Sequence, residues 1–86
     1  MKRVIVTGHA LHQMQRRSIS EDLVKKIIEA PEQSEEVRPG RLVLQSKIMM
    51  GEPPSRFVIR VFVDVVGESL EVVTVYRTRK VEKYWR

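Results

Sequence analysis

The sequence predicts an α+β domain in which two N-terminal helices pack on one face of a twisted, mainly antiparallel sheet. Two observations predict this fold. Residues 8–30 contain two segments with apolar residues at helical spacing, separated by a break from Ser18 to Ser20. After Pro31, most of the chain has the composition and alternation of strands, interrupted by turns that contain glycine and proline.

The composition predicts one soluble domain over positions 1–86, with 42% hydrophobic and 31% charged residues. Cysteine is absent and there are two histidines, so we expect no disulfide, no thiol nucleophile, no metal site and no cofactor. No apolar run approaches the roughly 20 residues that span a bilayer. We therefore expect no membrane segment and a cytoplasmic location.

The helical part begins with a strand from Lys2 to Val6, after which Thr7 can cap a helix over residues 8–17. Ser20 can cap a second helix over residues 20–30, which Pro31 ends. The residues expected to face the sheet are Ala10, Leu11, Met14, Leu23, Val24, Ile27 and Ile28.

The strand part begins with Glu35 to Arg38 and a Pro39-Gly40 turn, followed by a strand from Arg41 to Ile48. The clearest strand runs from Arg56 to Val65. Gly67-Glu68 fits a type II′ turn, after which Leu70 to Arg79 should return antiparallel. Residues 81–86 form a polar and aromatic tail.

The two-residue turn predicts the register of this hairpin, with Val63 opposite Val72, Ile59 opposite Tyr76 and Phe57 opposite Thr78. In that register Tyr76 faces the helices. One face carries Phe57, Ile59, Val61, Val63, Val65, Leu70 and Val72. The other face carries Arg56, Arg60, Arg77 and Arg79, with Val58, Phe62, Val73 and Val75 between them. A β-bulge would change this assignment.

The charge of the chain is +5, with a pI near 10.0, which is compatible with a polyanionic partner. An acidic stretch contains Glu29, Glu32, Glu35 and Glu36, whereas basic residues gather near the C-terminus. This asymmetry indicates either a specialised surface or two regions that pair with each other.

His9 is the first candidate for chemistry. In the first turn of a helix, the helix dipole disfavours the charged imidazolium, and a neutral imidazole can act as a general base. The alternative is a histidine that caps or packs at the junction of strand and helix.

Arg60 lies mid-strand between apolar neighbours, where a guanidinium can bind phosphate or simply face solvent. The hydroxyls of Tyr76 and Thr78 can position a phosphate, or Tyr76 can satisfy a buried hydrogen bond. Phe62, Tyr84 and Trp85 can stack on bases, or Trp85 can fix the C-terminus. The predicted nucleic-acid-binding residues are Arg56, Arg60, Arg77, Arg79 and Lys80.

Three segments carry a resemblance to a known family: His9-Ala10-Leu11-x-x-Met14-x-x-Arg17-x-Ile19-Ser20, the Arg56–Val65 strand, and Thr74-Val75-Tyr76-Arg77-Thr78. Together they resemble a family of small bacterial and archaeal domains of unknown function. Members often have arginine where this chain has Gln13 and glycine where it has Ser18.

That family pattern is similar to the RelE/ParE-type toxins and the barnase–colicin–RelE ribonuclease group. The resemblance implies an RNA-binding or metal-independent RNA-cleaving domain, with RNA or the ribosome as target and an acidic antitoxin as partner. The matching catalytic positions would be His9, Arg60, and Tyr76 or Thr78. The alternative is a non-catalytic module whose basic sheet face binds a protein or a nucleic acid; the oligomeric state stays open.

Overall fold

A computed structural model describes residues 3–86, and a five-stranded sheet forms the centre of the fold. The predicted first strand includes Lys2, which lies outside the described residues. The elements are β1 (Arg3–Val6), α1 (Gly8–Arg16), α2 (Glu21–Glu29), β2 (Gln33–Arg38), β3 (Arg41–Met50), β4 (Ser55–Val66), β5 (Ser69–Thr78) and α3 (Val81–Tyr84).

The sheet has the order β1-β5-β4-β3-β2, and every neighbouring pair is antiparallel except β1 and β5, which are parallel. β1 and β2 lie at opposite edges of the sheet. The chain runs from one edge to the other through α1 and α2, which cross one face of the sheet. The predicted α+β class and the two N-terminal helices on a mainly antiparallel sheet are confirmed. In the described part of the chain, no helix is long and apolar enough to span a membrane.

The caps of both helices form where the sequence predicts them. Thr7 Oγ1 accepts a hydrogen bond from Ala10 N at 3.2 Å, and Ser20 Oγ accepts one from Leu23 N at 3.1 Å. Between the helices, Ser18 has a φ of 55°, the left-handed conformation that often ends a helix. Ile19 N then donates to Met14 O at 2.9 Å and closes the end of α1.

The core lies between the two helices and the sheet face that they cover, which we call the helix face. Ile59 and Val61 are 0% exposed and belong to one buried cluster with Val24 and Ile27, as predicted. The rest of this cluster is Ala10, Met14, Ile19, Leu44, Phe57, Val63, Val72 and Val75.

The hairpin of β4 and β5 follows the predicted register only near its turn. Val65 pairs with Leu70 and Val63 with Val72, and the positive φ of Gly67 suits the predicted type II′ turn. A β-bulge then shifts the register, because Phe62 pairs with Thr74 and leaves Val73 without an opposite residue.

The predicted pairings beyond the bulge are therefore wrong. Ile59 lies opposite Arg77 rather than Tyr76, and Thr78 lies opposite Val58 rather than Phe57. The extra residue in β5 exchanges the faces of all residues that follow it. Val75, predicted to point away from the helices, is 0% exposed in the core.

The face opposite the helices, which we call the Arg60 face, carries Gln45, Arg60, Phe62, Tyr76 and Thr78. The C-terminal segment folds over part of it, since Tyr84 of α3 contacts Arg60. The Arg86 guanidinium forms an ion pair with Glu35 at 2.6 Å. Of the two predicted roles of the acidic stretch, pairing with the basic C-terminus is thus the one observed at Glu35.

Candidate anion-binding site

Arg60 occupies the middle of the Arg60 face, with Gln45 of β3 on one side and Tyr76 of β5 on the other. Its Nε donates a hydrogen bond to Gln45 Oε1 at 3.0 Å, and its Nη1 donates one to Tyr76 Oη at 2.7 Å. Both partners lie directly across the strand ladder, so the bulge that turns Tyr76 to this face also completes the support of the guanidinium.

Aromatic rings surround the Arg60 guanidinium. Its Cζ lies 4.3 Å from the ring centroid of Tyr84, 5.4 Å from that of Phe62 and 5.7 Å from that of Tyr76. Phe62 and Tyr76 are stacked with centroids 6.1 Å apart. Cation–π attraction to these rings adds to the two hydrogen bonds in fixing the position of the positive charge.

Side-chain amides join the C-terminal segment to the sheet beside Arg60. Gln45, which is 4% exposed, donates from Nε2 to Gln33 Oε1 at 2.8 Å and to Tyr84 O at 3.0 Å. Gln33 in turn donates from Nε2 to Arg86 O at 2.6 Å and accepts from Arg86 N at 3.3 Å. This network places the Tyr84 ring over Arg60.

A cavity of about 220 Å³ opens beside Arg60. Its lining contains two guanidinium groups, Arg60 and Arg86, and one carboxylate, Glu35, which pairs with Arg86. The remaining lining residues are Gln33, Ser34, Val43, Gln45 and Tyr84. Within this lining, Glu35 thus pairs with Arg86 and not with Arg60.

Arg41 lies on the same face and has a different electrostatic environment. Its Nε and Nη2 bind both carboxylate oxygens of Asp64 at 2.6 and 2.8 Å. The hydrogen bond from Arg41 lowers the pKa of Asp64, although desolvation partly opposes the effect. Arg60 has no carboxylate partner among residues 3–86, and its Nη2 makes no hydrogen bond there, so this edge of the guanidinium can bind an anion.

The pKa values of the two tyrosines beside Arg60 are shifted in opposite directions. Burial raises the pKa of Tyr76, and the hydrogen bond and charge of Arg60 offset only part of that rise. Burial also opposes ionisation of Tyr84, but the charge of Lys83 and hydrogen bonds from Tyr76 and Lys83 outweigh it and lower its pKa. Ionisation is therefore favoured at Tyr84 relative to Tyr76.

The predicted catalytic residues do not all meet. Arg60 and Tyr76 form the site, and Thr78 lies on the same face, where its Oγ1 accepts a hydrogen bond from Lys80 N at 3.1 Å. His9 is exposed on α1, whose Ala10 and Met14 pack into the core on the other side of the sheet. In the described chain, no contact joins His9 to Arg60 or Tyr76.

The predicted arginine cluster is also divided. Arg56 pairs with Met49 and alternates with Arg60, so it lies exposed on the Arg60 face. The bulge places Arg77 and Arg79 on the helix face, where both guanidinium groups lie over Phe57. The prediction of one face with all four arginines is therefore wrong.

Sequence reasoning missed Gln45 and Gln33 and gave Tyr84 only a stacking role. One signal for Gln45 is available in β3, where Val43, Gln45 and Lys47 alternate with Leu42, Leu44 and Ile48. This alternation points Gln45 away from the core. Among residues 3–86, no group of three or more histidine or acidic side chains is arranged to hold a metal ion.

Comparison with known families gives one match. The model of a domain of unknown function (DUF4258) matches residues 6–77. The chain belongs to this family. Neither a curated protein nor a solved structure matches the chain. Within this DUF4258 domain, Gln45, Arg60 and Tyr76 fall in the matched region, whereas Tyr84 and Arg86 follow it.

Proposed function

We propose that this DUF4258 domain binds single-stranded RNA on the Arg60 face. The observation that carries the proposal is the Arg60 guanidinium, which Gln45 and Tyr76 hold in place while its Nη2 edge has no partner among residues 3–86. A fixed guanidinium with free donors matches a phosphate, which it can bind through two parallel hydrogen bonds.

The rings around Arg60 support a single strand rather than a small anion as the ligand. Tyr84, Phe62 and Tyr76 lie within 6 Å of the guanidinium carbon. Bases of a single strand stack on such rings while phosphates meet nearby cations, and this pairing tolerates many sequences. The net charge of +5 favours the same class of partner.

The arrangement also supports the RelE-like relationship that the sequence suggests. Two helices precede the antiparallel strands β2 to β5, and a mid-strand arginine meets a late-strand tyrosine on the face away from the helices. This is analogy at the level of the fold, and it does not by itself assign an activity. The ribosome and an acidic antitoxin stay predictions of the resemblance.

The binding test uses fluorescence anisotropy with labelled single-stranded RNA over a series of salt concentrations. We expect Arg60→Gln to weaken binding at least tenfold, and Arg60→Lys to weaken it less, because lysine keeps the charge but not the fork of donors. Arg16→Gln is the matched control, since it removes the same charge from an exposed position on α1.

Two results would contradict the proposal. One is an affinity that does not change with salt, because phosphate contacts release counterions. The other is equal weakening by Arg60→Gln and Arg16→Gln, which would indicate attraction to net charge alone. Thermal unfolding of each variant establishes that binding is compared between folded proteins.

Cleavage of the bound RNA is the second candidate, and the two phenols beside Arg60 favour it. Tyr76 accepts a hydrogen bond from Arg60 Nη1 at 2.7 Å, and its ring centroid lies 6.3 Å from that of Tyr84. The pKa values of the two phenols are shifted in opposite directions. Ionised Tyr84 would take the proton from a ribose 2′-hydroxyl, whose oxygen then bonds to the adjacent phosphorus. Arg60 would stabilise the charged phosphorane. As the bond from phosphorus to the 5′ oxygen breaks, Tyr76 would protonate that oxygen, leaving 2′,3′-cyclic phosphate and 5′-hydroxyl ends.

This mechanism predicts a cleavage rate that rises with pH up to the pKa of Tyr84, because only the ionised phenol accepts the proton. Tyr76→Phe and Tyr84→Phe should each lower the rate by roughly 10²–10⁴, the usual contribution of general acid–base catalysis. His9→Ala is the control, since His9 lies on the helix side. Loss of cleavage in His9→Ala alone would return the role of base to His9, and intact RNA with wild-type protein would leave binding as the function.

A further inference from the structure

Arg77 and Arg79 form a second positive site that the Arg60 face does not use. The Cζ of Arg77 lies 4.9 Å and that of Arg79 lies 5.2 Å from the centroid of the Phe57 ring. Phe57 is 9% exposed and belongs to the core cluster. The ring is therefore a fixed platform on the helix face, and both guanidinium groups lie within about 5 Å of its centroid.

Neither guanidinium has a hydrogen bond or an ion pair within residues 3–86. Two like charges beside one ring repel each other, and cation–π attraction to the ring opposes that repulsion. An anion between or beside them would remove the repulsion and use their donors. The pair thus supplies the positive charge and the free donors that a phosphate site needs.

The surroundings of Arg79 carry further positive charge. A cavity of about 430 Å³ is lined by Arg79, Lys80 and Lys83, and Glu82 is the one carboxylate among its described lining residues. An excess of cations over carboxylates around one open cavity attracts a polyanion more strongly than a neutral ligand.

The edge of β5 connects this site to the Arg60 face. Within residues 3–86, β1 pairs with β5 over residues 69–72 and no strand pairs with the outer edge of β5 from residue 73 to residue 78, where Gln13 of α1 accepts a hydrogen bond from Val75 N. Tyr76 points to the Arg60 face, and the next residue, Arg77, points to the helix face. A flexible strand that leaves Arg60 can therefore reach Arg77 by passing round this edge near Thr78.

We infer that Arg77 and Arg79, held on Phe57, bind phosphates of the same RNA strand that Arg60 binds, so that the RNA wraps round the outer edge of β5. This inference rests on the proposed function, because Arg60 supplies the first contact. It assigns the two arginines to a separate site on the opposite side of the sheet.

The experiment compares a labelled trinucleotide, too short to reach both sites, with a dodecanucleotide in anisotropy titrations. The double variant Arg77→Gln/Arg79→Gln should weaken dodecanucleotide binding about tenfold and leave trinucleotide binding unchanged. Each lost phosphate contact should also lower the slope of log affinity against log salt by about 0.7. The control is Arg16→Gln/Lys25→Gln, which removes two exposed charges from the helices.

Equal weakening of the dodecanucleotide by both double variants would overturn the inference, and so would equal weakening of the trinucleotide and the dodecanucleotide by Arg77→Gln/Arg79→Gln. If thermal unfolding shows that this variant is not folded, Arg77→Lys/Arg79→Lys decides, because it keeps the charge and loses only the forked donors. Arg60→Gln separates the two proposals: if it affects neither oligonucleotide while the double variant weakens the longer one, the Arg60 site fails and the second site stands.

Discussion

β4 and β5 are neighbouring antiparallel strands of similar composition, yet alternation describes one of them correctly and the other only in part. Every second residue of β4 from Phe57 to Val63 is buried on the helix face, as predicted. In β5 the prediction holds from Leu70 to Val72 and then fails, because Val73 is the extra residue of a bulge. Alternation within a strand is reliable only while each residue keeps its partner.

The sequence of β5 carried a signal for the bulge. Its apolar residues occupy positions 70 and 72, and then positions 73 and 75, so the apolar pattern changes phase between Val72 and Val73. In β4 positions 57, 59, 61, 63 and 65 are all apolar, so one phase continues along the strand, although Val58, Phe62 and Val66 are apolar as well. A change of phase in one strand opposite an unbroken partner indicates an inserted residue.

The comparison also explains how the site is assembled. Without the bulge, Tyr76 would face the core and Arg77 would join Arg60. With it, the Tyr76 hydroxyl supports Arg60, and the two late arginines lie on the other side of the sheet. One inserted residue therefore decides which groups can act on the same ligand.

The largest expected effect is a loss of stability on mutation of a buried residue in β4, the strand that alternates regularly. Ile59→Ala should lower the free energy of unfolding by about 2–5 kcal/mol, because Ile59 is 0% exposed and the lost side chain leaves a cavity. Val66→Ala, at a position of β4 that is 51% exposed, is the control and should change it by less than about 0.5 kcal/mol. Denaturant titration measures both, and similar losses would mean that the core is misplaced.

A second pair of variants tests the phase change in β5 directly. Val75→Ala should lower the free energy of unfolding by about 2 kcal/mol, since the Val75 side chain is completely buried. Val73→Ala should lower it clearly less, since the bulged residue is only half-buried. An uninterrupted register makes the two valines equivalent residues of one face. Equal losses in chemical denaturation would therefore speak against the bulge.

Gln13 offers a way to weaken the bulge from outside the sheet. Its Oε1 accepts a hydrogen bond from Val75 N at 3.0 Å, at the edge that β1 no longer covers. Gln13→Ala should cost about 1–2 kcal/mol by leaving this amide without its partner, and should speed hydrogen exchange at Val75. Gln15→Ala, at an exposed position of the same helix, should change neither the stability nor the hydrogen exchange at Val75. If exchange at Val75 is unchanged in Gln13→Ala, Gln13 does not support the bulge.

The smallest expected effect has the opposite sign. Ser18 adopts a φ of 55° at the end of α1, a conformation that glycine reaches without steric cost. Ser18→Gly should therefore stabilise the domain by up to about 1 kcal/mol, which raises the melting temperature by roughly 4–8 °C for a domain of this size. Ser18→Ala should bring no such gain, and a lower melting temperature for Ser18→Gly would contradict the assigned conformation.

Part of the candidate site could be predicted from the sequence. Arg60 stands out because an arginine interrupts an otherwise apolar strand, and Tyr76 and Thr78 are polar groups on the strand that pairs with it. Regular alternation does not predict the partnership between Arg60 and Tyr76, since this partnership depends on the bulge. Tyr84 reaches Arg60 only because Gln45 and Gln33 bind the backbone of the C-terminal segment.

The sequence by itself determined the features that depend on neighbours along the chain. The caps at Thr7 and Ser20, the turn at Gly67 and the regular alternation of β4 follow from local hydrogen bonds, backbone freedom and burial of every second residue. Tertiary structure decided the rest. The phase of β5 beyond Val73 is fixed by its pairing with β4, to which the apolar pattern of β5 gives only a local signal. The docking of Tyr84 depends on contacts with residues distant in sequence, which no local pattern encodes.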